Sequence, residues 1–236
     1  MTQAKLYLIP SPMGESDLKQ IFPENNWMVI SRIKYFIVEN VRTARRFLKL
    51  MDKNINIDEL HFEVLDKRTQ FESYSQFLEP IKNGFDIGVI SEAGCPGVAD
   101  PGAEITLFAH QNNITVVPLV GPSSILIAQM SSGLNGQSFA FNGYLPIKGD
   151  LPIKKLRHFE ARSKQEQQTQ IFIEAPYRNI QLLQTMLKTL SPNTKLCIAA
   201  DLTSKQEFIK TKTIGQWKKE PLPSIHKIPT IFLFLA

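Results

Sequence analysis

Cysteine is nearly absent. Cys95 and Cys197 are the only two in 236 residues, and neither belongs to a CxxC or Cys/His cluster, so a disulfide framework is excluded as the source of the fold. The four histidines, His61, His110, His158 and His226, are scattered without metal-ligand spacing, and no metal is expected. Long apolar runs are missing too: the best candidates, such as Ile231 to Ala236, fall far short of the roughly 20 residues a membrane helix needs. The N-terminus shows no basic stretch followed by an apolar one, and the expectation is a cytoplasmic protein. There is no internal repeat or low-complexity segment. A GxGxxG fingerprint is also lacking, which argues against a pyrophosphate-binding turn of the dinucleotide type.

What is present is an ordinary folded composition, 43% hydrophobic, in a length that accommodates one large or two small α/β domains. Charge is unevenly distributed. Residues 1–118 hold 12 Lys and Arg against 15 Asp and Glu, net −3, whereas residues 119–236 hold 15 against 7, net +8. In the second half Lys148, Lys154, Lys155, Arg157, Arg162 and Lys164 form one basic cluster, and Lys205, Lys210, Lys212, Lys218, Lys219 and Lys227 another. Such clusters neutralise phosphates, although a merely solvated basic surface has the same composition.

The chain is organised around Asp86 to Gly102, DIGVISEAGCPGVADPG. Ile87 to Ser91 is short, apolar and β-branched, as in a buried parallel strand. Gly94, Pro96, Gly97, Pro101 and Gly102 then impose a sharply bent loop that backbone-binding ligands can approach, and Ala103 to Asn112 reads as a helix. The same outline recurs. Lys5 to Ile9 is a strand that breaks at Pro10-Ser11-Pro12-Met13-Gly14. Lys34 to Val38 is another, followed by Glu39-Asn40 and an amphipathic helix marked by Val41, Ala44, Phe47, Leu48 and Met51. His61 to Leu65 and Ile114 to Pro118 complete the strands of the first half, Ser73 to Asn83 reads as a helix ending at Gly84, and Trp27 to Ile30 is ambiguous. Alternating strands and helices predict a parallel sheet whose ligands gather at the carboxyl ends of the strands. Gly121-Pro122-Ser123-Ser124 opens a further helix, and the stretch Pro118 to Pro122 marks a domain boundary. The second half alternates again: strands at Ser138 to Tyr144, Gln170 to Ile173, Lys195 to Ala200, Glu207 to Lys212 and Thr230 to Leu235, and helices at Leu151 to Arg162 and Gln181 to Leu190. The expected architecture is two α/β/α domains, 1–118 with a parallel sheet and 119–236 with a mixed one.

Five segments occur together in a telling order: Pro10-Ser11-Pro12-Met13-Gly14, Ser91-Glu92-Ala93-Gly94-Cys95-Pro96 with Asp100-Pro101-Gly102, Val120-Gly121-Pro122-Ser123-Ser124, Gly143-Tyr144-Leu145-Pro146, and Glu174-Ala175-Pro176-Tyr177-Arg178. In this the chain resembles the tetrapyrrole methylase-fold (class III) methyltransferases over nearly its whole length. It is most similar to the branch that methylates a cytidine ribose 2′-hydroxyl in small-subunit ribosomal RNA. The resemblance implies S-adenosyl-L-methionine bound in a cleft between the two domains, a homodimer, and no metal. Carried onto this sequence, the loop Glu92, Ala93, Gly94, Cys95 and Pro96 lies against the methionine part of the cofactor, with Pro12 as a further cofactor-binding position. Ser123 and Ser124 lie near it, Ala175 and Pro176 line the adenosine side, Glu174 is a cofactor-side residue that orders its turn, and Tyr177 and Arg178 are placed to reach the acceptor, simple packing being the other role for Tyr177.

The sequence also departs from that branch. Glu39-Asn40-Val41-Arg42 stands where the branch has Glu-Asp-Thr-Arg, and Glu92 and Cys95 stand where it has Asp and Thr. Tyr177 replaces a histidine, and Ser204 and Gln206 replace a lysine and a histidine. Methyl transfer to a ribose hydroxyl needs alignment and a base. Glu39 and Glu92 are the candidate catalytic carboxylates, with Arg42 as a clamp for phosphate or carboxylate, and Asp100 is a third acid in the same loops. Loop capping or an internal ion pair would use the same residues. RNA is the partner that the basic second half favours, while a carboxylate-rich tetrapyrrole also suits a basic cleft, and a non-catalytic cofactor- or ribosome-binding protein is the alternative from another class.

Overall fold

The computed structural model describes residues 3–66 and 68–236. The chain separates into two units, Met1–Ser123 and Ser124–Ala236. Residues 119–123 stay with the first because Leu119 N–H donates to Leu8 O at 2.9 Å and the Asn26 amide donates to Val120 O at 2.8 Å.

In the first unit β1 (Lys5–Ile9), β2 (Tyr35–Val38), β3 (His61–Val64), β4 (Ile87–Ile90) and β5 (Thr115–Pro118) form a sheet in the order β3-β2-β4-β1-β5. Every pair is parallel. Strand β4 is buried at all four positions, which is why its sequence is a continuous apolar run rather than an alternating one. Helices α1 (Leu18–Ile21), α2 (Glu24–Ile30) and α3 (Val41–Met51) cover one face, where Ile30, Phe47 and Leu48 pack on Tyr7, Ile9, Phe36 and Ile90. The stretch ambiguous in sequence is thus helical, beginning after Pro23. Helices α4 (Ser73–Phe77), α5 (Glu79–Lys82) and α6 (Gly102–Gln111) cover the other, where Tyr74, Phe77, Ile105 and Ala109 pack on Leu6, Ile37, Ile87 and Val89. A single helix over 73–83 is expected from sequence. It divides at Leu78, just before Pro80, whose ring supplies no N–H to continue the ladder.

The second unit opens with α7 (Ser124–Ser132), followed by β6 (Phe139–Tyr144), α8 (Leu151–Glu166), β7 (Thr169–Ile173), α9 (Asn179–Thr189), β8 (Lys195–Ala200), β9 (Phe208–Thr213), α10 (Ile214–Trp217) and β10 (Thr230–Leu235). Its sheet has the order β6-β7-β10-β8-β9; β6 and β7 are parallel and the other pairs antiparallel. Phe172, Phe232 and Phe234, all fully buried, form its core with Leu156 of α8, Leu183 and Met186 of α9, and Trp217. Helix α8 runs four residues beyond the expected Arg162. Arg162 pairs with Glu166 one turn on, and no glycine or proline stops the helix before Gln167 closes it in the left-handed conformation (φ 49°).

Candidate functional site

Right-handed crossovers place a helix on one face of the first sheet or the other according to the direction in which the chain moves across it. The chain leaves β1 and β2 towards the face covered by α2 and α3, but leaves β4, which lies between them, towards the face covered by α6. The carboxyl end of β4 is therefore flanked on both sides by strands whose loops turn the other way, the arrangement that opens a ligand crevice in parallel sheets.

On the β1 side the two loops are joined by backbone. Ser11 N–H donates to Gly94 O at 2.8 Å and Gly94 N–H to Ser11 O at 3.0 Å. The buried Ser11 hydroxyl donates to Ser91 O at 2.6 Å, and the Ser91 hydroxyl donates to Gly94 O at 2.9 Å. Gly94 is buried and in the left-handed region (φ 73°), and a Cβ placed there would make an ordinary contact with Pro122 O at 3.8 Å, so backbone conformation rather than crowding is what favours glycine here. The Cys95 thiol donates to the same carbonyl at 3.5 Å. Burial, and secondarily the Asp100 charge, pushes that thiol above its ordinary pKa. Gly121 closes the wall from below: a Cβ there would lie 2.5 Å from Cβ of Pro10 and 3.0 Å from the Phe22 ring, so only glycine lets the 119–123 segment come this close. Pro12, Ala93, Pro96 and Ser123 lie in these same segments, with Ala93 exposed and Pro96 buried.

On the β2 side the carboxylates meet. Glu92 N–H donates to Glu39 Oε1 at 3.2 Å, and the Thr43 hydroxyl is in a short hydrogen bond with Glu92 Oε1. Asn40 caps α3, accepting from Arg42 N–H at 2.9 Å and Thr43 N–H at 3.4 Å. Thr43 Oγ1 also lies 3.0 Å from Asn40 O. A hydroxyl has one proton and cannot donate to both acceptors at once. Arg42 is exposed and forms no ion pair among the described residues. Asp100 faces inward, its Oδ1 accepting from Gly97 N–H at 2.6 Å and Gly102 N–H at 2.8 Å. Burial nevertheless raises its pKa, outweighing those two bonds. It holds the loop into α6.

In the second unit Ser124 begins α7, and Glu174, Ala175 and Pro176 follow the end of β7. Glu174 is buried and both its oxygens are used: Oε1 accepts from Ala175 N–H at 2.8 Å and Oε2 from Arg178 at 2.9 Å. Its role is to fix the turn. Thr43 is the residue the sequence reading passed over; a hydroxyl three residues after the helix cap Asn40 was the available signal. Among the described residues no group of three or more His, Cys, Asp or Glu is placed to hold a metal ion, and no helix is long and apolar enough to cross a membrane.

No protein-family model matches the chain. It is similar to the ribosomal RNA small subunit methyltransferase I of Vibrio cholerae serotype O1, with 31% identity over 212 residues, 89% of this chain and 69% of that protein. The protein of the same name from Buchnera aphidicola of Schizaphis graminum is 30% identical over 221 residues, 91% of this chain and 72% of its own. Among solved structures the chain resembles the methyltransferase CobJ (TM-score 0.65, 16% identity, 99% of this chain and 94% of that one). It also resembles the uroporphyrin-III-C-methyltransferase of Thermus thermophilus (TM-score 0.56, 17% identity, 99% and 93%). At such identities the structural likeness is one of fold, and it does not choose an acceptor.

Proposed function

Since the chain belongs to the ribosomal RNA small subunit methyltransferase I family, and is thus a methyltransferase that uses S-adenosylmethionine, we propose that it methylates a ribose 2′-hydroxyl of small-subunit ribosomal RNA. The observation that carries the reading is the junction at the end of β4, where the backbone bridge between Ser11 and Gly94 on one side adjoins the carboxylates of Glu39 and Glu92 on the other. The residues suit the donor: a sulfonium is a cation, and the exposed carboxylate of Glu92, with Glu39 bonded to its backbone, makes this loop anionic. On the first unit Pro12, Ala93, Gly94, Cys95, Pro96 and Ser123 would hold the methionine part of the donor. Bound there, the donor supplies an electrophilic methyl group that needs alignment more than activation.

The chain's own work is then to orient the acceptor and take its proton. A ribose hydroxyl is a poor nucleophile at neutral pH, so a positioned base contributes on the order of 10²–10⁴ in rate. Glu92 is that base in our reading: exposed to an incoming hydroxyl and steered by Thr43. The hydroxyl proton would pass to the Glu92 carboxylate as the methyl–oxygen bond forms and the methyl–sulfur bond breaks, the sulfonium leaving as a neutral thioether. Glu39 accepts from Glu92 N–H and fixes its backbone. Arg42, at the start of α3 and without an ion pair among the described residues, is available to a phosphate of the acceptor. We further propose that the protein acts as a homodimer in the cytoplasm.

The test is transfer of labelled methyl from S-adenosylmethionine to small ribosomal subunits that lack the modification, followed by digestion to nucleosides. A single 2′-O-methylated nucleoside is expected. Label appearing only on a carbon of a tetrapyrrole, or in no acceptor at all, would refute the proposal.

A further inference from the structure

The second unit carries a surface that the transfer chemistry leaves unused. Tyr144 ends β6 and Tyr177 lies in the turn after β7, and these two strands are parallel neighbours with Tyr144 beside Ile173. Both residues therefore follow the carboxyl ends of neighbouring strands. They are 61% and 64% exposed, and neither packs on another ring among the described residues. The turn bearing Tyr177 is held rigid, by Arg178 on Glu174 and by Lys227 N–H on Pro176 O at 2.9 Å.

Helix α8 starts between these two tyrosines in the chain and carries Lys154, Arg157 and Lys164 in line with Ala161, at spacings of three, four and three. That stripe is about 15 Å long. None of the three cations has an ion pair among the described residues. The acids of α8 are engaged elsewhere: Glu160 accepts from Ser191 N–H at 2.7 Å and Thr194 Oγ1 at 2.5 Å, and Glu166 pairs with Arg162. Lys148, exposed in the loop before α8, extends the stripe towards Tyr144.

We propose that this surface binds an unpaired RNA strand, with Tyr144 and Tyr177 as stacking platforms for bases and Lys148, Lys154, Arg157 and Lys164 as the track for its phosphates. A row of unneutralised cations ending in exposed aromatic rings is what single strands recognise, whereas a lipid surface would require apolar side chains all along the outer face of α8, where Leu151 at its first turn is the one exposed large hydrophobic residue. The inference rests on the RNA reading above and names the segment that would engage the acceptor.

Affinity of the full chain for an unpaired RNA oligonucleotide and for a blunt RNA duplex is measured as a function of salt. The triple variant Lys154→Gln, Arg157→Gln, Lys164→Gln should lower the salt slope by about 2, at roughly 0.7 per phosphate contact on a single strand. Tyr144→Ala should weaken binding roughly 5- to 150-fold and leave the slope unchanged. Both variants should melt as the parent does. A triple variant with the parental slope, an equal loss on neutralising Lys210, Lys218 and Lys219 instead, or a parent that prefers the duplex would each overturn the surface. If the parent binds no RNA and methylates no ribosomal subunit, the RNA reading itself fails. If it methylates subunits and the α8 and Tyr144 variants bind as the parent does, only this inference falls.

Discussion

The two units use charge in opposite ways. Residues 119–123 carry none, so the net charges of −3 and +8 apply equally to the units divided at Ser123. In the first unit the acids near the edge are tied into the scaffold: Asp100 holds two backbone N–H groups, Glu39 holds the backbone of Glu92, and Glu92 is met by Thr43. In the second, Lys154, Arg157 and Lys164 of α8 have no ion pair among the described residues, while its acids are occupied, Glu166 by Arg162 and Glu160 by Ser191 and Thr194. Fixed carboxylates suit a reacting centre, where geometry decides rate. Free cations suit a long flexible polyanion, where contacts add up and no single one needs an accurate position. The difference argues for a division of labour, chemistry on one unit and acceptor capture on the other.

Breaking the first half of that comparison should have the largest effect. Glu92→Gln should lower kcat by on the order of 10²–10⁴ with little change in donor affinity, measured as labelled methyl transfer beside calorimetric donor titration. Equal loss of donor binding would make Glu92 a binding residue instead. Phe232→Ala empties the core of the second unit, where Phe232 is fully buried. It should cost about 3–5 kcal/mol, read from denaturant midpoints. The hydroxyl of Thr43 is worth less because its site is exposed: Thr43→Val should reduce kcat by up to about tenfold without moving the melting temperature, and Thr43→Ser should restore it. A valine variant as fast as the parent would remove Thr43 from the machinery.

The smallest effect at neutral pH comes from Tyr74, which is buried in the first unit and donates to Glu104 at 2.5 Å. Burial, with Glu104 adding to it, pushes its phenol up to about 12. The folded state thus keeps the proton that the unfolded chain releases near pH 10. Stability drawn from this pair is complete below pH 10 and is lost as pH rises towards 12. Tyr74→Phe should cost about 1 kcal/mol at neutral pH and flatten that alkaline limb. Because the residue belongs to one unit, the limb reports on that unit's stability, as Phe232 does for the other.

The strands were legible because most are buried on both faces and read as short β-branched or aromatic runs. The loops were legible because prolines and glycines interrupt them. Helix ends were less so: Leu78 carries no break signal of its own, and the extension of α8 to Glu166 depends on an ion pair within its last turn. The site was partly visible. Glu39, Glu92 and Gly94 could be placed at strand ends from pattern alone, but the Ser11 bridge to Gly94 and the contact of Thr43 with Glu92 join residues 83 and 49 positions apart. Only the strand order brings them together, and periodicity does not encode it.

The cysteine count has a practical side. Cys197 is fully buried and Cys95 is only partly so, which leaves a single thiol within reach of a reagent. Its raised pKa keeps it protonated, so alkylation at neutral pH is slow. One dye or spin label can therefore be attached without engineering, at a point where occupancy of the loop after β4 would register as a change in labelling rate.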